Sequence, residues 1–350
     1  MNKEKFPSPP YTRTERQSNI EILRCVSMFM VMMMHSSFIT FGFPVKETVQ
    51  ESPCDWVLHT FQYSIAIVAV NVFVLISGWF SIKPSIKGIS SFLFQVTFLK
   101  LLSFIFFLVL GTLSFTKSTL YDLLMLNPYT GWFIKTYLLL YILVPVLNTF
   151  VENTTRKVFQ NVLIFYFLFV FVMGWFRDIT GYIMGGYSIT MFVGLYLLAR
   201  YANIYKPTWS CYSMKKDFII YMIATFFTFL GIFLPVYFGM EKCDIFVQAF
   251  TRYSSPFVVL GAMHLLLLFS KLKIGTRPMI NKVARSCFAV YLLHFMWGLY
   301  PLIILNMYET VTFGVYYMQL LILLVVIFFS CIAVDQLRIK IWNKIAVKIS

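Results

Sequence analysis

Ten long apolar stretches follow one another along this chain, and only short polar connections separate them. A helix needs roughly 17–25 mostly apolar residues to cross the hydrocarbon core of a bilayer. The ten stretches cover about residues 19–40, 56–82, 89–113, 130–150, 158–176, 183–200, 217–238, 253–270, 285–306 and 315–335. Apolar residues make up 59% of the chain and charged residues 12%, against about one half and one quarter in soluble domains. The sequence therefore predicts an all-α integral membrane protein, a bundle of about ten transmembrane helices.

The distribution of Lys and Arg predicts how this bundle is oriented. The net charge is +15, and most of the basic residues fall at the two chain ends and in alternate connections. Cytoplasmic connections are the ones that carry an excess of Lys and Arg. We therefore expect both termini in the cytoplasm, with an N-terminal segment at 1–18, a transmembrane domain at 19–335 and a basic tail at 336–350. The alternation explains the charge without nucleic acid, so the expected partner is the lipid bilayer.

The six cysteines show no metal-binding pattern. There is no Cys-x2-Cys pair and no group of Cys and His at zinc spacing, so the sequence predicts no metal site. Cys54 and Cys243 both fall in connections on the predicted outer side, where oxidising conditions allow a disulfide. Two unrelated thiols explain the same positions equally well, and both interpretations stay open.

Several ionisable residues lie inside the predicted spans, where an unsatisfied charge is costly and a functional role is the default hypothesis. They are Glu21, Arg24 and His35 in the first span and His59, Lys100, Lys135, His264 and His294 in later ones. His59 and Lys135 lie near the outer ends of their spans. For these two, a side chain that only reaches the membrane interface is one interpretation.

Arg24 and His35 are eleven residues apart, which at 100° per residue makes three full turns plus about 20°. Both side chains therefore lie on one face of the first helix, separated by roughly 16 Å along its axis. Such a face suits a long ligand with the shape of extended coenzyme A, because Arg binds phosphate and His is the usual general base. The alternative also stays open that Glu21 and Arg24 pair across one helical turn and that His35 is structural.

The residues around this pair resemble a known family. The segment 19–24 (NIEILR), followed by ten residues and His35, is similar to the Arg-x10-His motif of acyltransferase family 3. That family contains membrane-bound O-acyltransferases of bacterial surface polysaccharides. Further stretches resemble its other motifs in the same order, at 71–80 (NVFVLISGWF), 132–148, 253–264 and 286–294 (SCFAVYLLH). Together these matches extend over nearly the whole chain.

The resemblance implies an enzyme of the bacterial cytoplasmic membrane. Its donor would be cytoplasmic acyl-CoA, usually acetyl-CoA, and its acceptor a sugar hydroxyl of a surface polysaccharide or a lipid-linked precursor. His35 would be the catalytic residue, and Arg24 would help to bind or position the donor. Glu21, beside Arg24, is a candidate supporting residue. The alternative function is a polytopic transporter or exporter of a polysaccharide or lipid-linked substrate.

Three more residues occupy positions of the family motifs. Ser77 and Gly78 lie in the second motif, where a role in helix packing and a role in substrate binding are equal alternatives. His294 lies in the ninth span, where it either orients His35 and shares in proton transfer or forms an ordinary interhelical hydrogen bond.

Overall fold

The computed structural model describes residues 16–127, 130–176, 181–295 and 299–346, and within those ranges it contains helices and no strand. Residues 1–15 and 347–350, which belong to the two expected cytoplasmic ends, lie outside the described residues. The α-helices are α1 (Ser18–His35), α2 (Phe38–Phe41), α3 (Lys46–Glu51), α4 (Pro53–Ala66), α5 (Ala69–Phe80), α6 (Ile86–Val109), α7 (Lys117–Leu123), α8 (Trp132–Asn153), α9 (Arg156–Gly174), α10 (Ile189–Tyr205), α11 (Met214–Tyr237), α12 (Cys243–Thr251), α13 (Pro256–Ser270), α14 (Pro278–Arg285), α15 (Cys287–Leu293), α16 (Leu299–Thr310) and α17 (Phe313–Ala346). Two short 3-10 helices cover Met184–Gly186 and Thr208–Cys211.

Eight helical segments within the described ranges are long and apolar enough to cross a membrane. They are Ser18–Phe41, Pro53–Phe80, Ile86–Val109, Trp132–Asn153, Arg156–Gly174, Met214–Tyr237, Cys243–Ser270 and Gly314–Ile345. The predicted span at 183–200 overlaps α10, which has 17 residues, and the predicted span at 285–306 is divided among α14, α15 and α16. The structure confirms a helical membrane protein. The count of ten crossings and the cytoplasmic placement of both ends stay predictions.

Helix α1 lies in the interior of the bundle. It packs against α4, α5, α13, α14, α15 and α17, and its residues Ile20, Leu23 and Met32 are fully buried. No Gly or Pro interrupts its 18 residues, so its backbone hydrogen bonds continue from end to end. Outer helices differ, since Phe165 of α9 and Val326 of α17 are exposed. In a bilayer such apolar surface faces lipid.

Gly78 allows α5 to approach α10 closely. A Cβ atom at this position would lie 2.3 Å from the backbone oxygen of Tyr196 and 2.9 Å from its Cα atom, which is closer than non-bonded atoms can pack. The neighbouring Ser77 donates to the backbone oxygen of Phe73 at 3.0 Å and shares a 3.0 Å hydrogen bond with the Tyr137 hydroxyl. Both residues of the second motif thus hold helices together.

Helix α17 continues past residue 335, where the transmembrane domain was expected to end. Arg338 belongs to the expected tail but is buried, and it donates from Nε and Nη2 to the two carboxylate oxygens of Asp335 at 2.8 and 2.9 Å. Gln95 of α6 donates to the same carboxylate at 3.2 Å. Because a buried charge needs such partners, this arginine is part of the bundle interior.

A second buried carboxylate joins α11 to α13. Asp217 is fully buried, and its Oδ1 atom lies 2.8 Å from Nδ1 of His264. Its other oxygen accepts a hydrogen bond from Nζ of Lys271. The intramembrane His264 therefore has a structural partner on the neighbouring helix.

His59 differs from the interpretation that its side chain reaches the membrane interface. His59 is 2% exposed, because aromatic rings cover it, among them Phe41 and Trp56 with centroids 4.6 and 5.9 Å away. Neither of its ring nitrogens has a hydrogen-bond partner among the described residues. Lys135 is directed at its own loop, where Nζ donates to the backbone oxygen of Asn127. The interface interpretation is therefore wrong for His59.

The cysteines are free thiols in this structure, including Cys54 and Cys243. The interpretation of those two as unrelated thiols therefore describes the structure. A different pair is close, since Sγ of Cys287 lies 3.3 Å from Sγ of Cys25. The contact between these two thiols lies where α15 packs against α1.

Candidate active site

His35 and His294 lie side by side although 259 residues separate them in sequence. His35 is the last residue of α1, and His294 directly follows α15. Nδ1 of His35 lies 2.8 Å from Nε2 of His294. The two ring centroids are 4.9 Å apart with an interplanar angle of 20°. The structure thus brings together two of the histidines that the sequence analysis singled out.

The hydrogen bonds of His294 determine where the protons lie in the neutral pair. Nδ1 of His294 is 2.6 Å from the backbone oxygen of Val290, and since a carbonyl only accepts, this nitrogen carries a hydrogen. Nε2 of the neutral ring then has a lone pair, which accepts a hydrogen bond from Nδ1–H of His35. The remaining nitrogen of His35, Nε2, is left with a lone pair and can take up a proton.

Side chains from other elements fix the end of α1, whose last carbonyl groups have no partner within the helix. Tyr300 donates its hydroxyl to the backbone oxygen of Met32 at 2.8 Å. Thr40 donates to the backbone oxygen of His35 at 2.6 Å, and Gln62 donates to the oxygen of Met33, which lies between them, at 2.7 Å. These bonds hold the turn that carries His35 and therefore orient its ring.

A cavity of ≈ 200 Å³ adjoins His35. Met28 and Val31 line it on α1 together with His35, and these three residues continue the helix face on which Arg24 lies. The other lining side chains are apolar or aromatic and come from six different parts of the chain: Met34, Ile39, Tyr63, Val70, Phe73, Trp132, Phe133, Tyr187, Tyr253, Phe288 and Tyr291. A reacting group can therefore sit beside His35 in a dry environment.

Arg24 lies near the other end of the same helix face and is part of a positively charged cluster. Its Nε atom is 3.8 Å from Oε2 of Glu21, and Nη1 of Arg16 is 3.4 Å from the same oxygen. Burial lowers the pKa of Arg16, the Glu21 carboxylate opposes this, and repulsion by Arg24 and Arg285 adds to it. Nε of Arg24 has no hydrogen-bond partner among the described residues. One carboxylate thus faces several guanidinium groups, an arrangement that favours an anionic ligand.

Helix α14 fixes the start of α1 and brings Arg285 to this cluster. The Ser18 hydroxyl donates to Oδ1 of Asn281 at 2.8 Å and accepts from the backbone nitrogen of Arg277 at 2.7 Å. Because α14 ends at Arg285, that residue lies close to the first turns of α1. The sequence analysis had not assigned Arg285 to this site.

Residues 17–335 match the profile of an acyltransferase domain family, acyltransferase family 3. The chain belongs to this family. The match extends over nearly the whole chain and contains both His35 and His294, so this family 3 acyltransferase has its described histidine pair inside the shared domain. Neither a curated protein nor a solved structure matches the chain.

Ser77 and Gly78 do not line the cavity of this family 3 acyltransferase, as far as the described residues show. Ser77 supports the wall of the cavity, because the Tyr137 side chain that it contacts stacks on Phe133, with centroids 5.8 Å apart. Within the described ranges, no group of three or more His, Cys, Asp or Glu side chains is placed to hold a metal ion.

Several residues of the site were not predicted from the sequence. Tyr300 and Gln62 carry no signal of their role, because one Tyr among 21 or one Gln in an apolar helix suits many positions. Tyr187 lies in a glycine-rich connection outside the recognised motifs. Trp132 and Tyr253 begin two stretches that resemble family motifs, and only the fold reveals that their rings meet beside His35.

Proposed function

We propose that this membrane acyltransferase is an O-acyltransferase of the bacterial cytoplasmic membrane. It transfers an acyl group, in the simplest case acetyl, from cytoplasmic acyl-CoA to a sugar hydroxyl of a surface polysaccharide or its lipid-linked precursor. The observation that carries the proposal is the 2.8 Å contact between His35 and His294. It leaves Nε2 of His35 as a base beside a cavity of ≈ 200 Å³.

The donor lies along one face of α1. Its phosphates bind at Arg24, supported by the neighbouring Arg16 and Arg285, since guanidinium groups form strong paired hydrogen bonds to phosphate. Its pantetheine arm follows Met28 and Val31, whose apolar side chains line the cavity. The thioester then reaches His35 roughly 16 Å from Arg24, as the helical rise requires.

His35 supplies the base for acyl transfer. Its Nε2 atom accepts the proton of the acceptor hydroxyl while the hydroxyl oxygen attacks the thioester carbonyl. The carbon–sulfur bond breaks, the thiolate of coenzyme A takes the proton from Nε2, and an oxygen ester is left on the sugar. In the second route Nε2 attacks the thioester itself, the carbon–sulfur bond breaks and coenzyme A leaves as the thiolate. The acceptor hydroxyl then takes the acyl group from the imidazole, and its proton passes to the thiolate. Both routes need the same lone pair.

Purified protein in nanodiscs, supplied with radiolabelled acetyl-CoA and with deacetylated envelope polysaccharide as the acceptor, tests the proposal. His35→Ala is expected to bind the donor but to lose coenzyme A release by about 100-fold or more, the usual contribution of a general base. Arg24→Ala is expected to weaken donor binding, whereas Lys273→Ala, which removes an exposed charge, serves as the matched control. Full sugar acetylation by a well-expressed His35→Ala variant would exclude His35 as the catalytic residue.

The same assay distinguishes the transporter alternative. A transporter of a polysaccharide or lipid-linked substrate has no reason to cleave a thioester, so folded wild-type protein would neither bind acetyl-CoA nor release free coenzyme A. Release that requires both Arg24 and His35 establishes the transferase.

A further inference from the structure

We propose that the carbohydrate acceptor reaches His35 through a second cavity, which lies at the end of α1 away from Arg24. This second cavity, the vestibule, has a volume of ≈ 310 Å³. Its walls include Ile39, Phe43, Tyr63, Tyr187, Gln248 and Arg252. The inference rests on the proposed function, because it gives a binding site and a route to the sugar that this function requires.

The vestibule adjoins the cavity at His35. Ile39, Tyr63 and Tyr187 line both spaces, so the two spaces share a wall. Along the chain, His35 lines the first cavity, Ile39 lines both, and Phe43 lines the vestibule. The path therefore continues beyond the catalytic histidine in the direction opposite to the arginine cluster. Ile39 and Phe43 are 45% and 48% exposed, so the vestibule opens at the molecular surface.

Three aromatic rings meet where the vestibule joins the cavity. The centroid of Trp132 lies 4.5 Å from that of Tyr187 and 5.7 Å from that of Tyr253. The centroids of Tyr187 and Tyr253 are 4.9 Å apart. A pyranose ring has one face of C–H groups that packs on aromatic rings and an edge of hydroxyls that needs polar partners. Concave sites with aromatic walls and a few polar groups bind ligands of this kind.

The polar partners lie on the rim. Gln248 offers an amide that both donates and accepts, and Arg252 is fixed in place by a 2.7 Å hydrogen bond from Nη1 to the backbone oxygen of Trp175. Gly186, with φ at 94°, brings the connection that carries Tyr187 against the turn before α13. A Cβ atom at Gly186 would lie 2.6 Å from Cβ of Tyr253. The rim is therefore a packed structure with one fixed guanidinium group and one exposed amide, which suits a sugar better than an alkyl chain.

The route is tested in cells that lack the chromosomal copy and carry the wild-type chain or a variant. Base-released acetate from the purified envelope polysaccharide measures transfer, and binding of radiolabelled acetyl-CoA to membranes of the same cells measures the donor site. Phe43→Ala removes an aromatic side chain and Gln248→Trp fills space, both at positions that line the vestibule and not the cavity at His35. Tyr237→Ala is the matched control, because Tyr237 is 41% exposed and Phe43 is 48% exposed.

Both vestibule variants are expected to lower polysaccharide acetate by about tenfold, the scale of losing one good apolar contact to a substrate, with donor binding within about twofold of wild type. Unchanged acetylation in both variants overturns the vestibule. If both variants lose donor binding as well as acetylation, the vestibule is also overturned, because the donor site and the acceptor site would not be separate. Wild-type membranes that bind no donor contradict the proposed function itself, and this outcome is distinct from the other two.

Discussion

Both ring nitrogens of His294 are engaged, one by a backbone carbonyl and one by His35, whereas among the described residues His35 shows such a partner at Nδ1 alone. That difference separates their roles. His294 fixes which nitrogen of His35 carries the hydrogen, much as a hydrogen-bonded neighbour fixes the tautomer of a metal-binding histidine. In the proposed function Arg24, toward the other end of the same helix, binds the charged donor and takes no part in moving protons.

The first prediction concerns His294 as a positioning residue. His294→Ala is expected to lower kcat by about 10–100-fold, the range seen when a neighbour that orients an active group is lost, with little change in the KM for acetyl-CoA. His294→Gln should recover part of the loss, because its amide oxygen can accept from Nδ1–H of His35. Steady-state coenzyme A release measures both parameters. Equal kcat values for wild type and His294→Ala would contradict the assignment.

At the scale of helices, the sequence was informative wherever long apolar stretches define an element. Helix α1 was predicted well, because its apolar residues and the Arg24–His35 spacing are both local features. The ninth span was predicted as one helix at 285–306, but it divides at Ser286 and again after Leu293. Nothing local in the segment SCFAVYLLH marks the second break, since the contact that fixes His294 comes from α1. Long-range contacts of this kind are not encoded in periodicity.

A second prediction concerns the crossing of α5 and α10. Gly78→Ala is expected to destabilise the protein by about 1–3 kcal/mol, because the added methyl group meets backbone atoms that cannot move aside. Gly314→Ala is the control, since a Cβ atom there meets nothing within 4 Å. Thermal unfolding in detergent, followed by loss of monodisperse protein, compares the two variants. If both variants unfold at the same temperature as wild type, the helices α5 and α10 do not approach each other as closely as described.

A third prediction concerns the packing of α15 on α1. Because the sulfur atoms of Cys25 and Cys287 are 3.3 Å apart, a mild thiol oxidant should join them, and mass spectrometry of the digested protein should detect the linked peptides. Cys25→Ser should abolish the cross-link and leave the other four cysteines unjoined. Absence of this linkage in well-folded wild-type protein would show that the two histidine-bearing helices pack differently.

On the scale of the whole molecule, the site lies between two ends with different chemistry. The arginine cluster at the start of α1 is charged, and the vestibule at its far end is aromatic with a polar rim. The family and the helical membrane character could be predicted from the sequence. The vestibule could not, since Tyr187 and the residues that end α12 come together only through the fold.

A fourth prediction tests the orientation of the bundle with native thiols. Cys54 and Cys211 are both exposed, and the predicted topology places Cys54 outside and Cys211 inside. A membrane-impermeant maleimide should label Cys54 on intact spheroplasts, and it should label Cys211 only after permeabilisation. Cys54→Ser and Cys211→Ser identify each signal. The opposite pattern would invert the bundle and place the arginine cluster on the outer side.

The chain of hydrogen bonds from His35 through His294 ends at the backbone oxygen of Val290. A peptide carbonyl has no hydrogen to pass on and does not accept a proton near neutral pH. Among the described residues, the hydrogen bonds of the two rings therefore do not lead from one side of the bundle to the other. A proton taken up at Nε2 of His35 passes no further along them than His294. An enzyme built in this way can carry out acid–base chemistry at a buried histidine without opening a path for protons through these two rings.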